Sequence, residues 1–318
     1  MHRRVRHWFP VFVLVGFLLV VGRTAGKEFR LYYLGGQSNM DGYGYVKELP
    51  SDCQTPVTGV MIFHGNTAPD GVPADGRGVW EELRPGHGVG FASDGKTNSY
   101  SNRFGVELTF ARRLRELEPE ASIAIIKYSR GGTSIDISAA RGFGCWDPDF
   151  TRGNGVNQYD HFLATLRHAL AVRDIDGDGE VDTLAPAGIV WMQGESDACR
   201  EAVARQYEPN LKRLVDLIRA ALRVDDLPVS IGRISDSGRQ EADGKVWDFG
   251  DLVRDAQARF VENDGSAALV TATDEYSYSD KWHYDTAGYL DLGRRFAETL
   301  AVLRIRAAPD GAESGGVQ

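Results

Sequence analysis

Five short apolar runs, each followed by a stretch with helical spacing, constrain the fold of this chain more than any other feature. The runs lie at residues 29–34, 123–128, 187–192, 229–234 and 267–271. Apolar residues recur at every third or fourth position between them, as at Val106, Phe110 and Leu114. Continuous apolar strands are typical of sheets that are covered on both faces. Because strand–helix alternation gives parallel neighbours, the sequence predicts a three-layer α/β/α sandwich with a five-stranded parallel sheet.

Size and charge narrow the class of protein further. The chain has 318 residues, which is close to the upper size of one large α/β domain. Its 42% apolar and 25% charged residues are ordinary for a packed protein and exclude a mostly disordered chain. The net charge of −9, without any basic cluster, excludes an ordinary nucleic-acid partner.

The first 26 residues differ in character from the rest. Residues 1–7 are basic, residues 8–21 form an uncharged apolar run, and small residues follow up to Gly26. This order is typical of a secretory signal peptide, and the run is shorter than the roughly 20 residues that span a bilayer. We predict a signal peptide at 1–26, a folded domain at 27–306 and a loose tail at 307–318. The mature protein is then secreted or periplasmic, without stable membrane insertion; an uncleaved anchor is the alternative.

Three cysteines lie in the predicted mature chain, at positions 53, 145 and 199. Outside the cytoplasm a disulfide is permitted, and an odd number leaves one thiol over. Cys145 and Cys199 each follow a predicted strand, and loops after parallel strands gather at one edge of the sheet. We therefore predict a Cys145–Cys199 pair, with three unpaired cysteines as the alternative.

A serine and a histidine with an acidic neighbour point to nucleophilic chemistry. Ser38 comes just after the first apolar run, between glycines, where its hydroxyl lies at the top of the sheet. Asp280 and His283 lie directly before the last helical stretch. A spacing of three on a turn lets the carboxylate reach the imidazole and fix its tautomer, as a catalytic triad requires.

Two further segments supply candidate oxyanion donors. Residues 129–134 follow the second run and contain Gly131 and Gly132, where backbone N–H groups can approach a bound oxygen closely. Residues 191–197 follow the third run, and the amide of Gln193 is a neutral donor at the same edge. Nucleophile, base and oxyanion donors after different strands form the set that an acyl-transfer site needs.

Four motifs together resemble those of the SGNH (GDSL-like) hydrolase superfamily, over roughly residues 28–302. In chain order they are GQSNM, GGTS, WMQGESD and DKWHY. The match is most similar to the branch of sialate O-acetylesterase-type domains and acetylxylan esterases. The resemblance implies a flavodoxin-like fold and a serine carbohydrate esterase that removes O-acetyl groups through an acyl-enzyme, with no cofactor required for catalysis. The partner that the resemblance implies is an acetylated carbohydrate.

The resemblance also implies roles for individual residues. Ser38 matches the family's nucleophile, His283 its base and Asp280 the partner of that base. The implied oxyanion donors are the N–H of Ser38, the N–H of Gly131 or Gly132, and the side chain of Gln193. Residues expected to support the site or contact substrate are Gln37, Asn39, Glu195 and Asp197. The chain departs from the family in a stretch after GGTSID that contains Trp146, and from lipases in lacking a G-x-S-x-G elbow around Ser38.

An acidic segment indicates a possible calcium loop. Oxygen ligands at positions one, three and five with glycine at six suit Ca²⁺, although position twelve is Ala185, where an EF-hand has glutamate. The candidate ligands are Asp174, Asp176, Asp178, Glu180 and Asp182. Bound calcium would be structural; a solvated acidic turn is the alternative.

Two other functions compete with the esterase. Gly90 to Thr97 matches the phosphate-loop pattern letter for letter, but it lacks a preceding buried strand and a following helix. A non-catalytic carbohydrate-binding protein on the same fold is the second alternative. Residues 41–102 are rich in Gly, Pro, Asp and Ser without sustained periodicity, and we expect them to form one long loop. Four aromatic residues of this loop could stack on sugars or pack the loop down, namely Tyr43, Tyr45, Trp80 and Tyr100.

Overall fold

A computed structural model describes residues 26–66, 76–151, 156–240 and 242–307. Its central sheet has seven strands in the order β7-β6-β5-β1-β4-β2-β3. The strands are β1 (Glu28–Gly36), β2 (Val60–His64), β3 (Trp80–Glu82), β4 (Ser122–Ser129), β5 (Thr183–Met192), β6 (Val229–Gly232) and β7 (Ala267–Val270). All neighbours are parallel except β2 and β3, which pair antiparallel at one edge.

The predicted sheet of five parallel strands was therefore two strands too small. The five predicted runs form β1, β4, β5, β6 and β7. The extra strands lie within residues 41–102, which were expected to form one long loop. Glycine, proline and aspartate around β2 obscure its apolar run, although Val60 pairs with Ile123 of β4 in the body of the sheet.

Helices cover both faces of this sheet and confirm the three-layer sandwich. They are α1 (Ser38–Asp41), α2 (Glu107–Leu117), α3 (Gln158–Ala171), α4 (Glu201–Ala204), α5 (Tyr207–Leu222), α6 (Gly250–Asn263) and α7 (Thr286–Ala307). Two neighbouring residues of β1 contact helices on opposite faces of the sheet. The ring of Tyr32 packs 5.4 Å from that of Phe110 in α2, and the ring of Tyr33 packs 4.6 Å from that of Phe162 in α3. A continuous apolar strand is needed here because both faces are buried.

The close packing of α2 against α7 depends on a glycine. A Cβ atom at Gly293 would lie 2.3 Å from the carbonyl oxygen of Val106, which is far inside van der Waals contact. α7 also packs on the sheet, since a Cβ at Gly232 of β6 would lie 3.0 Å from the ring of Phe296. This anchoring matters for the site because α7 begins three residues after His283.

Residues 1–25 of the predicted signal peptide and most of the predicted tail lie outside the described residues, although α7 runs through Ala307, the first residue of that tail. Within the described ranges, no helix combines the length and apolar character needed to cross a membrane. Cys53, Cys145 and Cys199 are all free thiols, so the predicted disulfide was wrong. The Sγ of Cys145 instead lies 3.1 Å from the carbonyl oxygen of Ile135 as a hydrogen-bond donor.

Candidate active site

Ser38 lies at the carboxyl edge of the sheet, immediately beyond the central strand β1. Gly36 has a φ of 147°, and a Cβ at this position would lie 2.0 Å from the carbonyl oxygen of Met192. The next residue, Gln37, donates its backbone N–H to that same oxygen at 2.9 Å. The end of β1 is thereby tied to the end of β5, and the chain turns directly into the short helix α1, whose first residue is Ser38. Only 8% of Ser38 is exposed.

Asp280 and His283 are brought together in the turn before α7, as their spacing predicted. Nδ1 of His283 lies 2.7 Å from Oδ2 of Asp280, and the backbone N–H of His283 donates to Oδ1 at 2.8 Å. Burial acts to raise the pKa of Asp280, but hydrogen bonds from the imidazole and from backbone N–H groups outweigh it and lower that pKa. The carboxylate therefore stays ionised and holds Nδ1 as the protonated nitrogen, which leaves Nε2 as the acceptor.

Asn39 links the serine loop to the histidine turn across 243 positions in the chain. Its Nδ2 donates to the carbonyl oxygen of Trp282 at 3.3 Å and to Oε1 of Glu195 at 2.8 Å. Its Oδ1 accepts a hydrogen bond of 2.7 Å from the hydroxyl of Tyr289 in α7. Because Asn39 and Trp282 are the chain neighbours of Ser38 and His283, this side chain fixes the two loops against each other.

Tyr43 forms the second link between these loops. Its ring stacks on the imidazole of His283 with centroids 3.5 Å apart and planes inclined by 5°. Burial raises the pKa of Tyr43 to about 12, so the phenol is neutral at physiological pH. Tyr43, a candidate either for stacking on sugars or for packing its loop, packs against His283.

The glycine loop after β4 approaches Ser38 from another side. A Cβ at Gly131 would lie 3.3 Å from the Cβ of Ser38. Gly132 has a φ of 74°, in the left-handed region that favours glycine. Both predicted donors therefore belong to a loop that contacts the serine, and the choice between them stays a prediction.

Gln193 and Asp197 join this glycine loop to the segment after β5. The amide Nε2 of Gln193 donates to the carbonyl oxygen of Thr133 at 3.1 Å and to Oδ2 of Asp197 at 2.6 Å. Asp197 also accepts the backbone N–H groups of Ile135 and Asp136, each at 3.0 Å. Both hydrogens of the Gln193 amide thus have protein partners. Its predicted role in the oxyanion site stays a prediction, and the arrangement gives it a role in holding the loop.

Two buried carboxyl groups of this segment have raised pKa values. Burial raises the pKa of Asp197 to about 6, against the lowering effect of its hydrogen bonds to Asp136, Gln193 and Ile135. Burial likewise raises the pKa of Glu195, whose Oε2 is buried without a hydrogen-bond partner. Gln37, another predicted support residue, accepts the backbone N–H of Gly194 at 3.4 Å. The predicted support residues therefore connect three loops around Ser38.

The family described as "carbohydrate esterase, sialic acid-specific acetylesterase" matches residues 28–302 of this sequence. The chain belongs to this family. The match covers the whole sheet, all seven helices except the end of α7, and every loop described above. Carbohydrate esterases are carboxylic ester hydrolases, so the family agrees with the ester chemistry expected from the four motifs. A search of curated proteins found no match to the sequence.

Solved structures with low sequence identity share the fold of this carbohydrate esterase. A protein from Arabidopsis thaliana is 23% identical, with a TM-score of 0.60, over 86% of this chain and 98% of that chain. NanS is 16% identical, with a TM-score of 0.58, over 89% and 99%. A carbohydrate acetylesterase from Xanthomonas citri is 16% identical, with a TM-score of 0.58, over 87% of this chain and 57% of that one.

The predicted calcium segment of the esterase chain lies at the opposite, amino edge of the sheet, between α3 and β5. Carboxylate oxygens of Asp174, Asp176 and Asp182 lie within 4.8 Å of one another, which fits an oxygen-ligated cation. Asp178 is not part of this group; its Oδ2 pairs with the Nζ of Lys27 at 2.7 Å, and Oδ2 of Asp176 pairs with the same ammonium. For Glu180 the structure gives only a backbone contact, an N–H donated to Oδ1 of Asp178. Three of the five predicted ligands are thus brought together.

Two other candidates from the sequence, the phosphate-loop segment and Trp80, make structural contacts within the esterase. Residues 92–93 and 98–99 form a short antiparallel hairpin, and Asp94 at its tip accepts the N–H groups of Lys96 and Thr97 at 2.8 Å. A strand follows where a phosphate-binding loop requires a helix. Trp80 is buried, and its indole donates to the carbonyl oxygen of Ala169 at 3.0 Å.

Proposed function

We propose that this protein is a serine O-acetylesterase that removes acetyl groups from a carbohydrate. The observation that carries the proposal is the hydrogen-bonded Asp280–His283 pair, which Asn39 and Tyr43 hold against the loop of Ser38. The proposed reaction has two halves, each with the same oxyanion donors.

In the first half, Nε2 of His283 accepts the hydroxyl proton of Ser38 as Oγ attacks the acetyl carbonyl carbon. The negative charge that develops on the carbonyl oxygen is stabilised by backbone N–H groups of Ser38 and of the glycine loop. Gln193, the further predicted donor, joins them only by giving up its hydrogen bond to Thr133 or to Asp197. His283, now protonated and stabilised by Asp280, returns the proton to the sugar oxygen as the C–O bond breaks.

In the second half, water replaces the sugar alcohol. His283 accepts a proton from this water, whose oxygen attacks the acetyl carbon bound to Ser38. The second tetrahedral intermediate collapses when His283 protonates Oγ of Ser38, which releases acetate. Each proton transfer to or from Ser38 thus passes through one imidazole, while the second proton of the water leaves with the product as acetic acid, which ionises to acetate. No cofactor takes part in the proposed scheme.

The substrate class is proposed from the family and its relatives. The family is that of a sialic acid-specific acetylesterase, and the X. citri relative is named as a carbohydrate acetylesterase. Ser38→Ala should lower kcat for acetate release to near background on p-nitrophenyl acetate, acetylated xylan and O-acetyl sialic acid. The rates of the wild-type protein on the two acetylated carbohydrates show which sugar it prefers. Ser196→Ala is a matched control, because Ser196 has the same 8% exposure and lies at the same edge of the sheet.

Acetate release by Ser38→Ala at near wild-type rate would contradict the proposed nucleophile. Wild-type protein that binds acetylated carbohydrate without releasing acetate would favour the non-catalytic alternative. We also propose that residues 1–26 direct export, and N-terminal sequencing of the exported protein would detect an uncleaved chain.

A further inference from the structure

Two aromatic side chains differ from all the others in the described part of the chain. Among the described phenylalanines, tyrosines and tryptophans, only Phe143 and Trp282 are exposed, each by 48%. An aromatic ring costs free energy when it faces water, since burying it stabilises a fold by about 1.5–3 kcal/mol. Exposed apolar rings gathered at one place mark binding sites more often than rings scattered singly.

Phe143 covers the glycine loop beside Ser38. A Cβ at Gly132 would lie 2.7 Å from the ring of Phe143, so this glycine makes room for the ring. The guanidinium of Arg130 lies over the same ring, with its Cζ 5.2 Å from the centroid. Gly131, in turn, contacts Ser38. The backbone of the glycine loop therefore lies between the ring of Phe143 and Ser38.

Trp282 stands on the other loop of the site, directly before His283. Its backbone is held on both sides, because its N–H donates to Asp280 at 2.7 Å and its carbonyl oxygen accepts from Asn39 at 3.3 Å. The indole ring lies 6.3 Å from the imidazole of His283, measured between centroids. A fixed backbone with an exposed ring is a rigid platform, which reduces the entropy lost on binding.

The sugar-stacking candidates from the sequence have other partners. Trp80 is buried, Tyr43 stacks on His283, and the Tyr100 hydroxyl donates to Glu81. A sugar ring presents a face of C–H bonds, and the π face of an aromatic ring is its apolar complement. Exposed rings beside both the serine and the histidine are placed to hold the sugar whose acetyl group reaches Ser38.

We propose that Phe143 and Trp282 form an aromatic rim that stacks on the sugar rings of the acetylated carbohydrate. This rests on the proposed esterase function and deepens it, because it predicts a preference for acetyl groups carried by sugars over small acetyl esters. The occupant is a carbohydrate rather than an acyl chain, since the rings lie outside the loops that enclose Ser38.

The test compares kcat/KM on an acetylated xylo-oligosaccharide and an O-acetylated sialic acid with kcat/KM on p-nitrophenyl acetate. For Phe143→Ala and Trp282→Ala, the ratio of sugar to small ester should fall about tenfold for whichever sugar the wild type accepts, mainly through KM. Trp282→Phe and Phe143→Tyr should restore most of that ratio because they keep a ring. Leu170→Ala is the matched control, since Leu170 is 46% exposed at the end of α3.

The outcomes separate this proposal from the esterase function. A ratio that stays at the wild-type value, or an equal loss on both substrates, overturns the aromatic rim while acetate release still supports the Ser38 scheme. A changed preference for p-nitrophenyl butyrate over acetate, without a change on the sugar, overturns it in favour of acyl-chain binding. If the wild type releases acetate from none of these substrates, the esterase function itself is contradicted.

Discussion

The two edges of the sheet arrange their carboxylates differently. At the carboxyl edge, Asp280 and Asp197 each accept several hydrogen bonds from backbone N–H groups and side chains of the protein. At the amino edge, Asp174 and Asp182 also accept backbone N–H groups, but here the carboxylates of Asp174, Asp176 and Asp182 face one another, and Asp176 pairs with the ammonium of Lys27.

At the carboxyl edge a carboxylate orients a neighbouring group, whereas at the amino edge facing carboxylates bring together negative charges that a cation would neutralise. A carboxylate with protein donors on its oxygens fixes the position of its partners, as Asp280 fixes His283. Carboxylates that face one another repel unless a cation lies between them, and oxygen ligands are those that Ca²⁺ prefers. We therefore propose that the first edge carries the chemistry and that the second binds a structural ion.

Asp280→Asn is expected to have the largest effect. An asparagine keeps the size of the side chain but cannot stabilise a protonated imidazole, and its amide can impose the wrong tautomer on His283. We expect kcat on p-nitrophenyl acetate to fall by about 10³–10⁴, with little change in melting temperature. Asp285→Asn, two residues after the imidazole, is the control. A fall of less than tenfold in the Asp280 variant would mean that this carboxylate does not orient the base.

Asp197 should make stability depend on pH. Its pKa is about 6 in the folded protein and 3.8 ordinarily, so between these values the folded state binds the proton that the unfolded chain has lost. Its contribution to the free energy of unfolding is therefore highest below pH 4 and falls as pH rises towards 6, by about 3 kcal/mol in total.

Asp197→Asn removes this titration. Urea unfolding at pH 4 and pH 6.5 should show a smaller decrease with pH in the variant than in the wild type. Parallel pH profiles for the two proteins would show that Asp197 does not titrate in this range.

Calcium should produce the smallest effect. Saturating Ca²⁺ is expected to raise the melting temperature by roughly 5 °C, as binding to the folded state alone requires. Asp176→Asn should abolish the shift, and Lys27→Met should strengthen binding because an ammonium no longer pairs with Asp176 and Asp178. Asp216→Asn, on the exposed side of α5, should leave the shift unchanged. If calorimetry detects no heat of Ca²⁺ binding, the segment is a solvated turn without a bound ion.

Sequence alone predicted the parts of the fold that have a strong local signal. Apolar runs found five strands, and a spacing of three found the Asp280–His283 pair. Strand β2 was missed because its five residues lie among turn-forming residues, and its place beside β4 depends on a contact some 60 residues away.

The supports of the site were less predictable than its reacting groups. The hydrogen bond from Asn39 to Trp282 and the stacking of Tyr43 on His283 join residues about 240 positions apart, and no local pattern encodes such contacts. The cysteine pairing failed for the same reason, because sharing a sheet edge does not set the distance between two thiols. Exposure of Phe143 and Trp282 likewise follows from the packed fold.

Strand β1 lies in the middle of the sheet although it is first in the chain, and both of its neighbours come later. During synthesis it stays unpaired until residues 122–129 and 183–192 have emerged from the ribosome. In the proposed scheme, Ser38 acquires its imidazole only when the turn at His283 has followed, some 245 residues later. A growing polypeptide therefore carries an inert hydroxyl for nearly its entire translation, and esterase activity begins only as the last helix docks.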